Sequence, residues 1–336
     1  MPAIRTEITE IVTGLAMLGY RDLKQALEVR PGHILNVESE HYDRLDDALA
    51  TGAHDTEFAL AWDNGAAFAR STDALRGRPP WSVEWKGPHR PPGYEQIPAD
   101  LRIDHVYLVS CKYGSSILYN AGPGHLFDRG LAEKRVERGA DWFTEVAPEA
   151  YQALYERYCD EIGVEGLPIH VADLQPEHRR LIKAASSRGP WPGATDELYR
   201  DLALAVAQSS AQRWLAILAT PALREQMLWR LLRLQAAPYF VLGADLRHEP
   251  LRYRVGTPWD FRQAWKLRGF DAWADPAGQP LIRWRADVTD RMTAERRAVE
   301  GHVEIRWSHG RFSGAPEAKV HLDTPPHHVA GYIPLT

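Results

Sequence analysis

The sequence predicts a mixed α/β (α+β) fold, and three patterns carry that prediction. Apolar residues recur at three- and four-residue spacing through most of the first 75 residues and again over 129–159, 177–186 and 196–236. From Pro238 onward the period changes to two. Between the helical stretches, residues 100–113 alternate apolar and polar on either side of a tight turn, the pattern of two short paired strands.

In chain order, Ile8, Ile11, Val12 and Leu15 mark a helix within 5–29 that stops at Pro31 and Gly32. A second helix covers about 40–51, with Leu45, Ala48 and Leu49 on one side and Gly52 beyond its end. A third runs from Asp55 to about Leu75 through Phe58, Leu60, Ala61, Ala67 and Phe68. Residues 77–98 are rich in Pro and Gly and read as loops around one strand, Trp81 to Trp85. The hairpin follows, then 114–128 as a loop leading into helix. The run from Arg188 to Gly193 breaks the helical pattern and is the predicted domain boundary, giving a first domain over 1–190 and a second over 191–336. Beyond it, Leu198, Leu202, Val206, Trp214, Ile217 and Leu218 mark further helix. The stretches Tyr239 to Leu242, Leu251 to Val255, Trp265 to Trp273, Leu281 to Ala286, Val303 to Trp307 and Ala318 to Leu322 read as a mainly antiparallel β region.

Composition narrows the function classes. With 336 residues, 44% hydrophobic and 25% charged, the chain can bury a substantial core. A net charge of −5 argues against a protein that coats nucleic acid non-specifically, though a basic cleft needs only local charge. Two cysteines, Cys111 and Cys159, are too few for a disulfide framework or a thiolate cluster. No apolar run approaches the roughly 20 residues that span a bilayer, and the first residues lack a signal-peptide layout, so a cytoplasmic setting without membrane contact is expected. Twelve tryptophans could stack on bases, but core packing accounts for most of them.

The chemistry concentrates in the hairpin. Alternation places Asp100, Arg102 and Asp104 on one face of its first strand, and Ser110 and Lys112 together on its second. A lysine in an otherwise apolar strand is costly to bury unless an anion meets it. Asp100, Asp104 or a substrate phosphate are the candidates, and an acid beside a lysine on paired strands suits metal-dependent phosphodiester hydrolysis.

On these residues the segment resembles the PD-(D/E)xK nuclease superfamily, whose signature is an acid opening one strand and, about ten or more residues later, an acid-x-Lys on the next. Pro98-x-Asp100 stands for the first half and Ser110-Cys111-Lys112 for the second, with Ser110 in place of the usual second acid. The likeness spans roughly residues 55 to 130. It implies a restriction-endonuclease-like mixed sheet flanked by helices and an Mg²⁺- or Mn²⁺-dependent endonuclease acting on DNA. In that reading Asp100 is the main metal ligand, the backbone carbonyl of Cys111 a second, Lys112 the charge stabiliser and Ser110 an auxiliary. Glu57 matches the helical glutamate that many members add to the metal site. The layout also resembles restriction or anti-phage defence enzymes, with a homodimer or a partner protein as the expected assembly. The alternatives are an ordinary ion pair on a half-exposed sheet face, and a decayed nuclease-fold module that binds nucleic acid or a partner.

Other motifs read more plainly. Glu304 with Glu317-Ala318-Lys319 repeats the acid-x-Lys spacing, but Glu317 follows Pro316 at a strand edge, where charge is normally solvated. His302, His309, His321, His327 and His328 cluster without a cysteine, and the last two read as a solvated loop. His125 could serve as a base beside Asp128, although a packed His and a capping Asp are the favoured reading of the pair. Between Arg224 and Arg311, 16 Lys and Arg face 11 Asp and Glu. Several are interleaved with aromatics, so Arg283, Arg285 and Arg306 are candidate phosphate contacts on one sheet face, or simply its wet face.

Overall fold

In the computed structural model, residues 4–87, 99–114, 117–128, 141–186 and 189–336 are described. Pro98, the first residue of the resembling motif, lies outside them. The chain is α+β, with one mixed sheet, one antiparallel sheet and helices around them. It divides into two units interleaved along the sequence. The first comprises 1–116, 233–265 and 325–336, and the second 117–232 and 266–324. The predicted boundary near 190 therefore falls inside the second unit.

The first unit holds β1 (Ile34–Leu35), β2 (Val83–Trp85), β3 (Leu101–Ile103), β4 (Tyr107–Tyr113), β6 (Tyr239–Ala244), β7 (Pro250–Val255) and β12 (Tyr332–Pro334), in the spatial order β1-β2-β3-β4-β6-β7-β12. Strands β2, β3 and β4 form an antiparallel meander, whereas β4 and β6 run parallel. The β3–β4 turn is tight because Asp104 and His105 both adopt positive φ, 50° and 59°, the conformation that matches hairpin twist. Asp104 thus belongs to the turn rather than to a strand face. Its Oδ1 accepts from the N–H groups of Trp81 and Ser82, and its Oδ2 pairs with Arg78 at 2.6 Å.

Two helical segments supply the apolar side of this sheet's core. The first is a continuous run of Ile4–Glu7, a π-helical turn Ile8–Val12 and Thr13–Ala16, and the second is Asp55–Arg70. Ile8, Ile11, Val12, Leu15, Phe58 and Phe68 pack with Val83, Trp85, Leu101, Ile103, Val109, Phe240 and Leu242. The helices approach at Gly65, where a Cβ would lie 2.1 Å from the Thr13 carbonyl oxygen. Ser39–Thr51 ends as expected at Gly52, which takes the left-handed C-cap conformation. The helix predicted over 5–29 instead breaks after Ala16 and resumes as Leu23–Val29, capped by the Asp22 carboxylate.

The second unit carries an antiparallel sheet in the order β5-β11-β10-β9-β8: β5 (Ile117–Ala121), β8 (Trp265–Asp275), β9 (Leu281–Asp290), β10 (Arg296–Arg306) and β11 (Glu317–Leu322). Its helices are Pro123–Phe127, Trp142–Val146, Pro148–Ile162, Pro176–Ala185, Gly193–Ile217 and Pro221–Leu231. Trp214 meets the Phe127 ring at 5.0 Å and the Phe270 ring at 5.7 Å, and Phe270 stacks on Trp284. Trp85, Trp214 and Trp284 are almost fully buried, the packing role expected of most of the tryptophans.

Candidate active site

Asp100 sits where β3 begins and ties three strands together. Its N–H donates to the Val109 carbonyl (2.8 Å), and its own carbonyl accepts from the N–H of Lys86 (2.8 Å). Its carboxylate then occupies the place a further β3 residue would fill beside β4. Oδ2 accepts from the Cys111 N–H at 2.7 Å and from the Ser110 hydroxyl at 3.2 Å. Oδ1 takes no hydrogen bond among the described residues, which leaves one carboxylate oxygen held and the other open.

Lys112 follows Ser110 by two residues on β4, half-buried, with no ion pair or side-chain hydrogen bond among the described residues. Burial pushes its ammonium pKa down, and Arg233 adds to that; Asp100, Cys111 and Glu10 pull the other way. Its backbone lies against β6 at Gly243, where a Cβ would fall 1.7 Å from the Lys112 carbonyl oxygen, so only glycine fits. Asn64 anchors this point from the helix Asp55–Arg70. Its amide donates to the Gly243 carbonyl (2.9 Å), and its carbonyl accepts from Arg252 (2.7 Å).

Glu10 is the carboxylate that sequence reasoning missed. It projects from the π-helical turn Ile8–Val12, a feature common at functional sites. It accepts from the Trp85 indole N–H at 2.6 Å and acts electrostatically on both Lys112 and Cys111. An acid among Ile8, Ile11 and Val12, on the turn that lines the core, was the available signal.

Glu57, the helical acid expected from sequence, is committed elsewhere. It pairs with Arg5 at 3.2 Å and lies 3.6 Å from His54. Burial raises its pKa, but a backbone N–H, His54 and Arg5 outweigh that and leave it below the usual range. Cys111 enters through its N–H rather than through the carbonyl expected as a ligand, and its side chain packs against the core. Burial, with Asp100 and Glu10 next, drives the thiol pKa well up, so no thiolate nucleophile forms there. Ser110 is 3% exposed and positions Asp100 without adding charge.

The remaining sequence candidates form balanced pairs. Arg283 bonds Asp275 and lies 3.5 Å from Asp323, Arg285 bridges Asp287 (3.0 Å) and Glu300 (2.9 Å), and Arg306 pairs with Glu304 (3.2 Å). Each of the three expected phosphate contacts thus carries a carboxylate already. Glu304 lies opposite Lys319 across β10 and β11 and 3.8 Å from His321, and all three are buried, whereas Glu317 at the strand edge keeps 39% of its side chain exposed. Arg230 donates to the His125 carbonyl, and Asp128 pairs with Arg213.

Compared with known proteins, the chain matches no family model, no curated protein and no solved structure.

The donor set sorts the metals. Among the described residues, no three His, Cys, Asp or Glu side chains converge as a ligand cage. An open Asp100 oxygen, with Glu10 acting on the same Cys111 and Lys112, fits Mg²⁺ or Mn²⁺, which bind through one or two carboxylates and retain water, and does not fit a closed Zn²⁺ centre. No helix among the described residues is long and apolar enough to cross a membrane.

Proposed function

We propose that the protein is a metal-dependent endonuclease that hydrolyses phosphodiester bonds in DNA, with a restriction-endonuclease-like first unit, acting in the cytoplasm in a restriction or anti-phage setting. The observation that carries this reading is the juxtaposition of Asp100, held on one oxygen and open on the other, with Lys112, a half-buried lysine without an ion-pair partner among the described residues. Purely structural lysines in strands are normally met by a carboxylate at ion-pair distance. The meander β2–β3–β4, with an acid opening β3 and a lysine on β4, agrees with the resemblance drawn from sequence.

Asp100 and Glu10 would hold Mg²⁺ or Mn²⁺, which when bound supplies charge neutralisation at the phosphate and a more acidic water. Lys112 places its ammonium where charge develops as the water oxygen bonds phosphorus and the ester oxygen departs with a proton from solvent. Its lowered pKa reflects a desolvated site, in which such a charge acts more strongly than in water. Ser110 and the Cys111 N–H keep Asp100 from rotating away.

Supercoiled plasmid incubated with Mg²⁺ or Mn²⁺ tests this. Cleavage is expected from the native chain, with a loss of at least about 10²-fold in Asp100→Asn and in Lys112→Ala, the scale seen when a group stabilising the transition state is removed. One observation favours a second reading, a decayed module that binds nucleic acid or a partner: Ser110 is neutral and its hydroxyl is engaged by Asp100. Retention of plasmid without cleavage under any divalent ion would favour that module.

A further inference from the structure

A groove of about 580 Å³ opens in the second unit among β8, β9 and β10, lined by Arg268, Arg285, Arg296, Arg297, Asp287 and Thr289. The four arginines differ in how far they are neutralised. Arg285 is bridged by Asp287 and Glu300, and Arg297 is held by both oxygens of Glu295 (3.0 and 3.2 Å). Arg268 and Arg296 have no carboxylate partner among the described residues. Arg268 donates its Nε–H to the Thr289 hydroxyl at 3.2 Å, which fixes its fork, and Arg296 lies directly opposite Thr289 in the β9–β10 register. Two exposed, uncompensated guanidinia therefore flank one threonine, one from each side.

We propose that this groove binds the phosphate backbone of nucleic acid, with Arg268 and Arg296 gripping a phosphodiester above Thr289. Guanidinium forks match phosphate oxygens in pairs, and a positioned arginine loses less freedom on binding than a loose one. The neighbouring acids occupy Arg285 and Arg297, which leaves Arg268 and Arg296 as the two guanidinia that meet an anion. That suits a backbone tracked one phosphate at a time rather than a tightly charged triphosphate. The choice of nucleic acid as the polyanion rests on the nuclease reading; the groove's affinity for phosphate does not.

The test is fluorescence anisotropy of a labelled 20-base-pair duplex with the full chain, without divalent metal so that nothing is cut. The double variant Arg268→Gln/Arg296→Gln should bind about tenfold more weakly at low salt. Its slope of log affinity against log salt should also fall by about 0.9, since the two arginines share one phosphate and each phosphate neutralised contributes about 0.9. Arg268→Lys/Arg296→Lys, which keeps the charge and guards against a folding artefact, should restore most of the slope. Unchanged affinity and slope in the Gln pair overturn the proposal. So does loss of binding to adenosine monophosphate with duplex binding intact, which would assign the groove to a free phosphate ligand. If Asp100→Asn abolishes cleavage while the Gln pair binds duplex normally, the nuclease reading survives and this one falls. If the Gln pair loses binding but no cleavage is ever seen, the reverse holds.

Discussion

A lysine ammonium without an ion pair in a half-buried strand raises the energy of the folded state, and for Lys112 burial and Arg233 outweigh the pull of nearby acids and lower its pKa. Asp100 and Glu10 act on it from β3 and from the N-terminal helical run, whereas Glu57 is paired with Arg5. Cleavage assays should separate the two glutamates. Glu10→Gln should raise the Mg²⁺ concentration for half-maximal cleavage about 10–100-fold. Glu57→Gln should leave it unchanged and lower stability by less than about 1 kcal/mol, because Arg5 is largely exposed; equal effects in the two variants would remove Glu10 from the site. Asp100, Ser110 and Lys112 were legible in the sequence because strand alternation is local. Glu10 was not, since its contact with Trp85 spans 75 residues. The partners of Arg283, Arg285 and Arg306 escaped for a related reason: the Arg285–Glu300 pair forms only once β9 and β10 are aligned. His321 carries a pH dependence of its own. Burial first, then His302, with Arg306 and Lys319, hold its pKa down to about 4, against the pull of Asp323; Glu304 lies 3.8 Å away. The unfolded chain binds this proton from about pH 6.5 downward, while the folded chain binds it only near 4. The contribution is therefore complete above 6.5 and is lost as pH falls between those values, by at most about 3 kcal/mol. Urea unfolding from pH 7 to 4.5 should show this fall, and His321→Gln should flatten it.

Among the elements, the helices with strong periodicity and a glycine stop were readable, as Ser39–Thr51 with Gly52 shows. The sequence pattern gives loop where β5 forms, because five residues between turns carry too little alternation to stand out. The parallel pairing of β4 with β6 was beyond any local pattern, since well over 100 residues separate the two, and β6 was grouped instead with the later strands. That pairing depends on Gly243. A methyl there meets the Lys112 carbonyl oxygen at 1.7 Å, and because that oxygen is backbone, neither strand can yield without opening the ladder beside the candidate site. Gly243→Ala should therefore destabilise the protein by more than about 2 kcal/mol and abolish cleavage together. Denaturant titration and plasmid cleavage on the same preparation check this, and a stable variant that still cuts would show that the β4–β6 pairing does not set the geometry of Lys112.

At the scale of the whole chain, the first unit is assembled from three segments of sequence, and Arg233 marks where they converge. It opens the second segment and acts electrostatically on Lys112 from the first and on Tyr332 from the third. The last segment contributes β12, whose Tyr332 stacks on Tyr253 of β7 at 4.8 Å, and the chain end closes onto the Thr72 N–H through the Thr336 carbonyl (2.8 Å). A linear division near residue 190 would assign β12 to a domain separate from Asp100, whereas the observed division makes it part of the same sheet. The two arrangements differ in what a change at the far end of the chain does. Tyr332 is 6% exposed, and removing its ring should cost about 3–5 kcal/mol, as for other buried aromatics. If the first unit folds as one cooperative body, Tyr332→Ala must lower the urea midpoint of the sheet that carries Asp100 and Lys112. Trp85, buried in that sheet's core beside Glu10, is a suitable local probe of it through single-tryptophan variants. Tyr332→Phe keeps the stacking and should restore the midpoint. An unchanged transition at Trp85 in Tyr332→Ala would mean that β12 is an independent appendage and that the candidate site is built from the first two segments alone.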